Sequence, residues 1–460
     1  MNNTVGLVKA GTGMDADRAS NGAVRAWLTL AVVALLVSTG YVLVIVLARS
    51  GFTQLIGDSE RLFHTALVLH VDFALIVWLL AIAAMVWTFS SPVGQIKWRY
   101  LDPLLSFTGV ILMLFSPLLG TGRPIVSDYL LLLDHPLFLL GLGLFFSGIG
   151  LSALRFLMTS WRRQESKDWE GITLLAVKGS VLAFCSAIAA FLIAAFQLWD
   201  QPGGLAYYNQ LFWGAGHLLQ FTYLFLLMAA WGWFWRQAGY CPRVSMKITR
   251  IVLWSLMLLV VSGPLLYLLL DETRTAFTRL MEISGSLALF LLMLSLFQGV
   301  AQDKRATGER VFVSIASYSM ALFIAGVLIG FFVRENDAMV PAHYHGMVGA
   351  VTLAFMGLAY RMNKLLGLNP QSKQILLLQA RLYAVGLGLV MLGLILSDLP
   401  RKALTGDASM DVSLLAGRFV MALGGTGAFL ASLLFIALMW RVFQPVQKKI
   451  GWPGLLESRD

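Results

Sequence analysis

The stretch Val340-Pro-Ala-His343-Tyr344-His345-Gly-Met-Val-Gly349 opens a long apolar segment and places two histidines two residues apart. Successive residues of a helix advance by about 100°, so the side chains of His343 and His345 point about 200° apart. They are poorly placed to share one metal ion, but each can bind a different metal centre on its own side of the helix. Ionisable residues inside a membrane span are costly and usually functional, so the pair predicts a functional site.

The composition is that of a polytopic membrane protein. Of the 460 residues, 58% are hydrophobic and only 13% are charged, and the mean hydropathy is +0.77. The net charge of +10 is spread over short loops, which indicates membrane topology and argues against nucleic-acid binding. The two cysteines, Cys185 in an apolar run and Cys241 in a basic loop, provide neither a disulfide framework nor a thiolate metal site.

Apolar segments long enough to cross a bilayer recur along the whole chain and predict an all-α bundle of about twelve transmembrane helices. The segments are 25–48, 65–89, 102–121, 131–156, 171–197, 208–235, 250–270, 278–300, 311–333, 341–361, 375–398 and 413–440. No linker or low-complexity run separates them, so residues 1–460 are predicted to form a single domain. Residues 1–23 are polar and show no cleavable signal pattern.

The loops between these segments alternate in charge. The basic set carries Lys97, Arg99, Arg162, Arg163, Lys167, Arg236, Arg243, Lys247, Lys304, Arg305, Arg310, Arg361, Lys364 and Lys373. The acidic set carries Asp58, Glu60, Asp128, Asp134, Asp200, Asp271, Glu272, Glu335, Asp337, Asp398 and Asp407. The positive-inside rule places the basic loops and both termini, including residues 1–23, in the cytoplasm. We therefore expect a multi-pass protein of the inner (cytoplasmic) membrane.

Four of the six histidines fall at similar depth in the predicted spans. His70, His217, His343 and His345 all lie in the outer half of the membrane, at most about 15 Å deep at 1.5 Å per helical residue. Their convergence from three helices predicts one buried site. The other two, His64 and His135, lie at span ends and are predicted to be interfacial residues, although His64 competes with His70 for a ligand role.

The histidine motifs resemble those of subunit I of the haem-copper oxidase superfamily, the catalytic subunit of terminal respiratory reductases. The stretch 340–349 resembles its tenth-helix motif, Leu67-Val-Leu-His70-Val-Asp-Phe73 its second-helix motif, and Phe212-Trp-Gly-Ala-Gly-His217 its sixth-helix motif. Leu399-Pro400-Arg401-Lys402 resembles the outer basic pair that meets the haem propionates. With the twelve-span count, the resemblance covers nearly the whole chain. It is closest to the shorter, divergent branches and to the related nitric oxide reductases.

The resemblance implies two haems. His70 and His345 would be the axial ligands of a low-spin haem that relays electrons, and His343 would be the proximal ligand of a high-spin haem where the acceptor binds. Arg401 and Lys402 would pair with the propionates through charge-assisted hydrogen bonds. Their alternative role is that of ordinary loop cations, but their position on the predicted outer side departs from the positive-inside bias and favours a specific anionic partner.

The chain departs from the family at the second metal. In the family, copper or, in nitric oxide reductases, iron is held by one histidine of helix six and an adjacent pair from helix seven. His217 matches the first, but the best match to the pair is Gly263-Pro264, so a three-histidine copper site is excluded. Many oxidases carry a tyrosine four residues after the first histidine, where this chain has Phe221. Tyr267 resembles the helix-seven tyrosine of the C-type branch.

Glu282 is the residue that could complete this site. It lies early in the predicted eighth span at nearly the depth of His217, and nitric oxide reductases carry a functional glutamate on that helix. An imidazole and a carboxylate suit iron better than copper. Arg279, one turn earlier, is the alternative partner and would make Glu282 structural.

Three functions remain open. The favoured one is a nitric oxide reductase-like subunit with a low-spin haem, a high-spin haem and a non-haem iron, in which His343, Glu282 and Tyr267 are catalytic. The second is an O₂-reducing oxidase whose metal site, with copper as the alternative metal, is unconventional. The third is a dihaem electron-transfer or sensor subunit.

Electrons are expected from outside the chain. The sequence has no Cys-x-x-Cys-His haem attachment and no cysteine-bearing copper domain, so we expect a partner subunit with an outer-face domain. Cytochrome c, a cupredoxin or quinol would be the donor, and membrane lipid surrounds the bundle. Few acids lie in the inner half of the spans, so no acid-lined proton channel is visible.

Overall fold

The computed structural model describes residues 14–49, 59–91, 99–119, 122–127, 130–241, 245–270, 272–285, 300–301, 310–333, 338–368, 372–402 and 409–444. Side chains are described in these ranges except at 14–21, 49, 241, 300–301, 398–402 and 409–412. Long helices make up most of this part of the chain, as the apolar segments predict.

Twelve helices follow one another along the described part of the chain. They are α1 (Met14–Arg49), α2 (Ser59–Ser90), α3 (Leu101–Leu119), α4 (Pro136–Ser160), α5 (Trp169–Gln197), α6 (Leu205–Gln237), α7 (Met246–Leu269), α8 (Thr273–Arg279, continued by a π-helical turn over Leu280–Gly285), α9 (Arg310–Gly330), α10 (Met339–Leu365), α11 (Lys373–Lys402) and α12 (Ser409–Met439, followed by the 3₁₀ turn Trp440–Phe443).

Short strands connect some of these helices. Antiparallel β1 (Arg123–Val126) and β2 (Leu131–Asp134) pair Arg123 with Asp134 and form a hairpin between α3 and α4. A second pair joins β3 (Tyr240–Cys241) to β4 (Val300–Ala301).

Among the described residues, ten helices are long and apolar enough to cross a membrane, which confirms an all-α polytopic membrane fold. The helices α8 and α10 are not in this set. The first two turns of α10 carry a proline, two histidines and a tyrosine, although its 27 residues are enough to span. The described part of α8 ends at Gly285, before the end of the predicted segment 278–300.

Two predicted boundaries are wrong. The segment 131–156 is not helical from its start, because residues 131–134 pair as β2 and α4 begins at Pro136, with His135 as its N-cap. Arg401 and Lys402 are not in a loop, because the backbone of α11 remains helical to Lys402. Hydropathy alone does not separate a short buried strand from the first turn of a helix.

Close backbone contact holds neighbouring helices together. A Cβ atom added to Gly109 of α3 would lie 2.3 Å from the carbonyl oxygen of Gly141 in α4, and one added to Gly424 of α12 would lie 2.5 Å from that of Gly386 in α11. Membrane helices associate through small residues because these let the backbones approach. The α3–α4 and α11–α12 pairs are therefore tight antiparallel units.

Replacing Gly141 with leucine should destabilise the protein by about 1–3 kcal/mol, because the new side chain would overpack against α3. The matched control is Gly143→Leu, where no atom lies within 4 Å of the added Cβ. Thermal unfolding of the detergent-solubilised protein measures both variants. Equal unfolding temperatures for the two would contradict the tight α3–α4 contact.

Ion pairs tie the helices together at the end of the bundle that carries the basic loops, here called the basic end. Arg155 of α4 lies 2.7 Å from buried Asp102 of α3, and buried Lys178 of α5 lies 2.9 Å from Glu165 in the α4–α5 loop. Each of these four charges thus has an opposite partner, as burial in a membrane requires. The four deep histidines, which are His70, His217, His343 and His345, lie toward the other end of the bundle.

Candidate functional site

The four deep histidines share one geometric feature. In each ring, Nδ1 contacts a backbone carbonyl oxygen: His70 that of Ser38 at 3.0 Å, His217 that of Trp213 at 2.8 Å, His343 that of Gly326 at 2.8 Å and His345 that of Pro341 at 2.7 Å. A carbonyl only accepts, so a neutral ring carries its proton on Nδ1 and its lone pair on Nε2. A metal-bound histidine commonly has this support for its second nitrogen. The arrangement therefore suits imidazoles that bind iron through Nε2.

His70 and His345 form one pair across α2 and α10. The two residues lie within electrostatic range of each other. The Ser38 hydroxyl lies 3.0 Å from Nδ1 of His70 and donates to the carbonyl oxygen of His70, also at 3.0 Å, so α1 fixes this ring. The π-helical turn Phe73–Val77 follows three residues later, and such turns are frequent at functional sites.

His343 faces a different set of helices. Its Nδ1 contact is with α9, and a Cβ added to Gly330 of α9 would lie 2.9 Å from that nitrogen. His343 also lies within electrostatic range of Glu282 on α8. The structure thus places the two histidines of the opening motif on opposite sides of α10, one toward α2 and the other toward α8 and α9.

His217 is 3% exposed and packs among aromatic side chains of α6 and α8. Its ring centroid lies 5.0 Å from that of Trp213 and 6.3 Å from that of Phe277. Its Nε2 lies 3.3 Å from the hydroxyl oxygen of Thr278, which in turn donates to the carbonyl oxygen of Arg274 at 3.0 Å. The binding nitrogen of His217 therefore faces α8.

Tyr267 lies next to the same turn of α6. Its hydroxyl oxygen accepts a hydrogen bond of 3.1 Å from the backbone N–H of Gly214, three residues before His217. A Cβ added to Gly214 would lie 2.6 Å from that hydroxyl, so only glycine permits this approach. The 3₁₀ turn Gly263–Leu265 interrupts α7 just before Tyr267.

Glu282 forms the ion pair with Arg279 that the sequence leaves open as an alternative. The two side chains are 3.2 Å apart, with 51% and 69% of their surfaces exposed. An ion pair this exposed contributes little to stability. Since Glu282 also lies within electrostatic range of His343, the structure brings it toward the site as well as pairing it.

The described donors do not fit a second metal of three or more protein ligands. No group of three or more His, Cys, Asp or Glu side chains close enough to hold a metal ion occurs among the described residues. Residues 286–299, outside the described part of α8, contain none of these four residue types. By contrast, the Nδ1 contacts of His70, His343 and His345 present Nε2 for binding, which suits the haem-ligand roles predicted for them.

The remaining predicted residues differ in what the structure shows. The side chains of Arg401 and Lys402 lie outside the described residues. His135 accepts a hydrogen bond from the backbone N–H of Leu137 and caps α4, as an interfacial residue would. His64 lies beside Glu60, with 3.9 Å between Nε2 and the carboxylate.

The sequence does not identify Ser38 as a residue that supports the ring of His70. Ser38 lies in an apolar run on a helix with no predicted site residue, and its only signal is a polar side chain inside a span. Asp72, two residues after His70, is 1% exposed and finds no partner for its two carboxylate oxygens among the described residues.

The chain has relatives in sequence among known proteins. No family model matches the sequence. An uncharacterised protein of Aquifex aeolicus (strain VF5) is 27% identical over 73% of this chain and 83% of its own length. Another, of Rickettsia prowazekii (strain Madrid E), is 24% identical over 91% of this chain and 95% of its own length.

Among solved structures, the cryo-EM structure of a haem-copper terminal oxidase dimer superimposes with a TM-score of 0.69 at 15% identity. The match covers 93% of this chain and 84% of that one. The chain therefore has the fold of a haem-copper terminal oxidase, which confirms the predicted architecture.

Proposed function

We propose that this chain is the catalytic dihaem subunit of a membrane respiratory terminal reductase. The observation that carries the proposal is the set of four deep imidazoles whose Nδ1 atoms are all held by backbone carbonyls. His70 and His345 would hold the low-spin haem and His343 the high-spin haem. These groups would supply electron transfer and acceptor binding when bound.

The chain's own residues orient the ligands and separate the two haems. Only Tyr344 stands between His343 and His345 on α10, so one helix would supply a ligand to each haem. Arg401 and Lys402 would meet the propionates. Electrons would come from an outer-face domain of a partner subunit, reduced by cytochrome c, a cupredoxin or quinol, with the chain in the inner membrane and both termini in the cytoplasm.

Nitric oxide is the favoured acceptor. Reduction of two NO molecules to N₂O and water consumes two electrons and two protons, fewer than O₂ reduction needs. Glu282 lies within electrostatic range of His343. We propose its carboxyl group as the proton donor for this reaction. The predicted non-haem iron at His217 and Glu282 needs donors beyond those the described residues supply, so no step is assigned to it.

One observation favours O₂ as the second candidate. The Tyr267 hydroxyl contacts Gly214, which lies about one helical turn before His217 on α6. A phenol near this turn can supply a proton to a bound acceptor. The non-catalytic dihaem alternative predicts neither activity.

Metal analysis with an optical spectrum of the purified protein tests these candidates. Two haems and one further iron support the nitric oxide reductase with a second iron. Two haems and copper support the oxidase, and two haems alone with no turnover support electron transfer or sensing. A protein that binds no haem would refute the proposed function.

Replacing Glu282 with glutamine should lower NO turnover by about 100-fold, the lower end of what acid–base groups contribute, while both haem spectra remain. The matched control is Glu272→Gln, because Glu272 instead caps α8 through the backbone N–H of Thr275. Steady-state N₂O formation measures both variants. Wild-type turnover in E282Q would show that the Arg279 pair is the only role of Glu282.

A further inference from the structure

Arg381 places a positive charge on the outward face of a membrane span. It lies eight residues after Lys373, where α11 begins, which is about 12 Å along the helix axis. Arg381 is exposed, and Leu378 and Val385, one turn away on the same face, are 57% and 61% exposed. This face of α11 is therefore an apolar surface that carries one full charge.

A hydrogen bond directs the guanidinium of Arg381 toward α9. Its Nε donates to the hydroxyl oxygen of Tyr318 at 2.9 Å. Tyr318 lies eight residues after Arg310, where α9 begins, so the two bonded residues lie at matching distances from the basic end. A snorkelling arginine would instead extend along its own helix toward water. The charge is thus held between two spans.

The spans around Arg381 contain no carboxylate to pair with it. Helices α9 and α10, and α11 as far as Ser397, include no Asp or Glu. Within the described part of the chain, the guanidinium of Arg381 is bonded only to the Tyr318 hydroxyl. By contrast, Arg155 of α4 and Lys178 of α5 lie 2.7 and 2.9 Å from carboxylate oxygens. Since charged residues in a span usually pair, Arg381 requires an anion from outside the chain.

The donors that remain on Arg381 fit a phosphate group. With Nε bonded to Tyr318, both Nη atoms of the planar guanidinium can donate, and this fork binds two phosphate oxygens at once. Arg310 and Lys373, at the starts of α9 and α11, are exposed and add positive charge at the same end of the bundle. Basic pockets between spans are typical binding sites for anionic lipid headgroups.

The surroundings of Arg381 favour lipid over the alternative anion, a carboxylate on a helix of a partner protein. Such a carboxylate would itself have to lie inside a span, which is costly. A lipid phosphate is already present at the membrane surface, and its acyl chains match the exposed apolar side chains of Leu378 and Val385. The site therefore offers contacts to both parts of a phospholipid.

We propose that Arg381 and Tyr318 form a binding site for the phosphate of an anionic phospholipid, between α9 and α11 at the basic end of the bundle. The Nη atoms of Arg381 donate to the phosphate oxygens, and Tyr318 fixes the plane of the guanidinium by accepting from Nε. The acyl chains lie over Leu378 and Val385. The site does not depend on the proposed function, because it contains none of the predicted haem or metal ligands.

Lipid binding by the purified full-length protein tests the site. Wild type and variants, washed with detergent to remove bound lipid, are titrated with dioleoyl phosphatidylglycerol, and native mass spectrometry measures the bound lipid. Arg381→Met should weaken binding about tenfold, because it removes the charge-assisted fork but keeps an unbranched apolar side chain. The matched control is Lys247→Met, which removes an exposed cation at the start of α7 and should bind like the wild type.

Thermal unfolding of the same samples provides the second measurement. Phosphatidylglycerol should raise the unfolding temperature of the wild type and K247M more than that of R381M, because a ligand stabilises the fold that binds it. Equal lipid binding by R381M and the wild type would overturn the inference. An equal rise with inorganic phosphate alone would overturn the choice of lipid. A membrane protein that copurifies with the wild type and K247M but not with R381M would assign Arg381 to a partner helix instead.

Tyr318→Phe keeps the test decisive if R381M does not fold. It leaves the charge of Arg381 in place and removes the acceptor that orients the guanidinium. Binding of phosphatidylglycerol should weaken by less than in R381M but remain measurably below that of the wild type. Wild-type binding in Y318F would show that the contact with Tyr318 does not form the site.

Discussion

Replacing His345 with alanine should abolish the low-spin haem spectrum. The imidazole of His345 is held by the Pro341 carbonyl at 2.7 Å and lies within electrostatic range of His70, so no other described histidine can take its position between α10 and α2. His70→Ala should give the same spectrum, because a low-spin haem needs both axial ligands. Reduced-minus-oxidised difference spectra of the purified variants measure the loss.

His64→Ala is the control for this prediction. His64 lies on α2 six residues before His70 and is the alternative ligand that the sequence leaves open, but it lies beside Glu60 at 3.9 Å. The low-spin spectrum should therefore survive in H64A. The reverse result, with the spectrum lost in H64A and kept in H70A, would assign the ligand to His64.

The sequence predicts the helices well because lipid exposure demands long apolar runs, and the described parts of all twelve predicted segments are largely helical. It fails at the ends of elements. Residues 131–134 are as apolar as a helix but pair with β1, and only Pro136 marks the true start of α4. Hydropathy measures burial in the membrane and not the backbone conformation that satisfies it.

The site is predicted in part. Depth in the spans identifies His70, His217, His343 and His345, and the spacing of the last two predicts that they face opposite ways, as they do. The supports for His70 and His343 are invisible in the sequence, because Ser38 and Gly326 reach them across helices. Tyr267 reaches Gly214 only because α7 is broken by a 3₁₀ turn before it.

Replacing His343 with alanine should remove the high-spin haem and reduce turnover to background, while the low-spin spectrum remains. His343 contacts Gly326 of α9 and faces α8, whereas His345 is held within α10 and faces α2. The two rings therefore have separate supports. Loss of the carbon monoxide difference spectrum, with retention of the low-spin band, measures this outcome.

Two further variants separate ligand loss from damage to α10. Tyr344→Phe changes the residue between the histidines, which is 39% exposed, and should keep both haems. Gly330→Ala places a Cβ 2.9 Å from Nδ1 of His343, so it should weaken carbon monoxide binding without affecting the low-spin haem. If α10 served only to hold the bundle together, H343A and H345A would lose the same haems. Because the rings point apart, each variant should lose a different one.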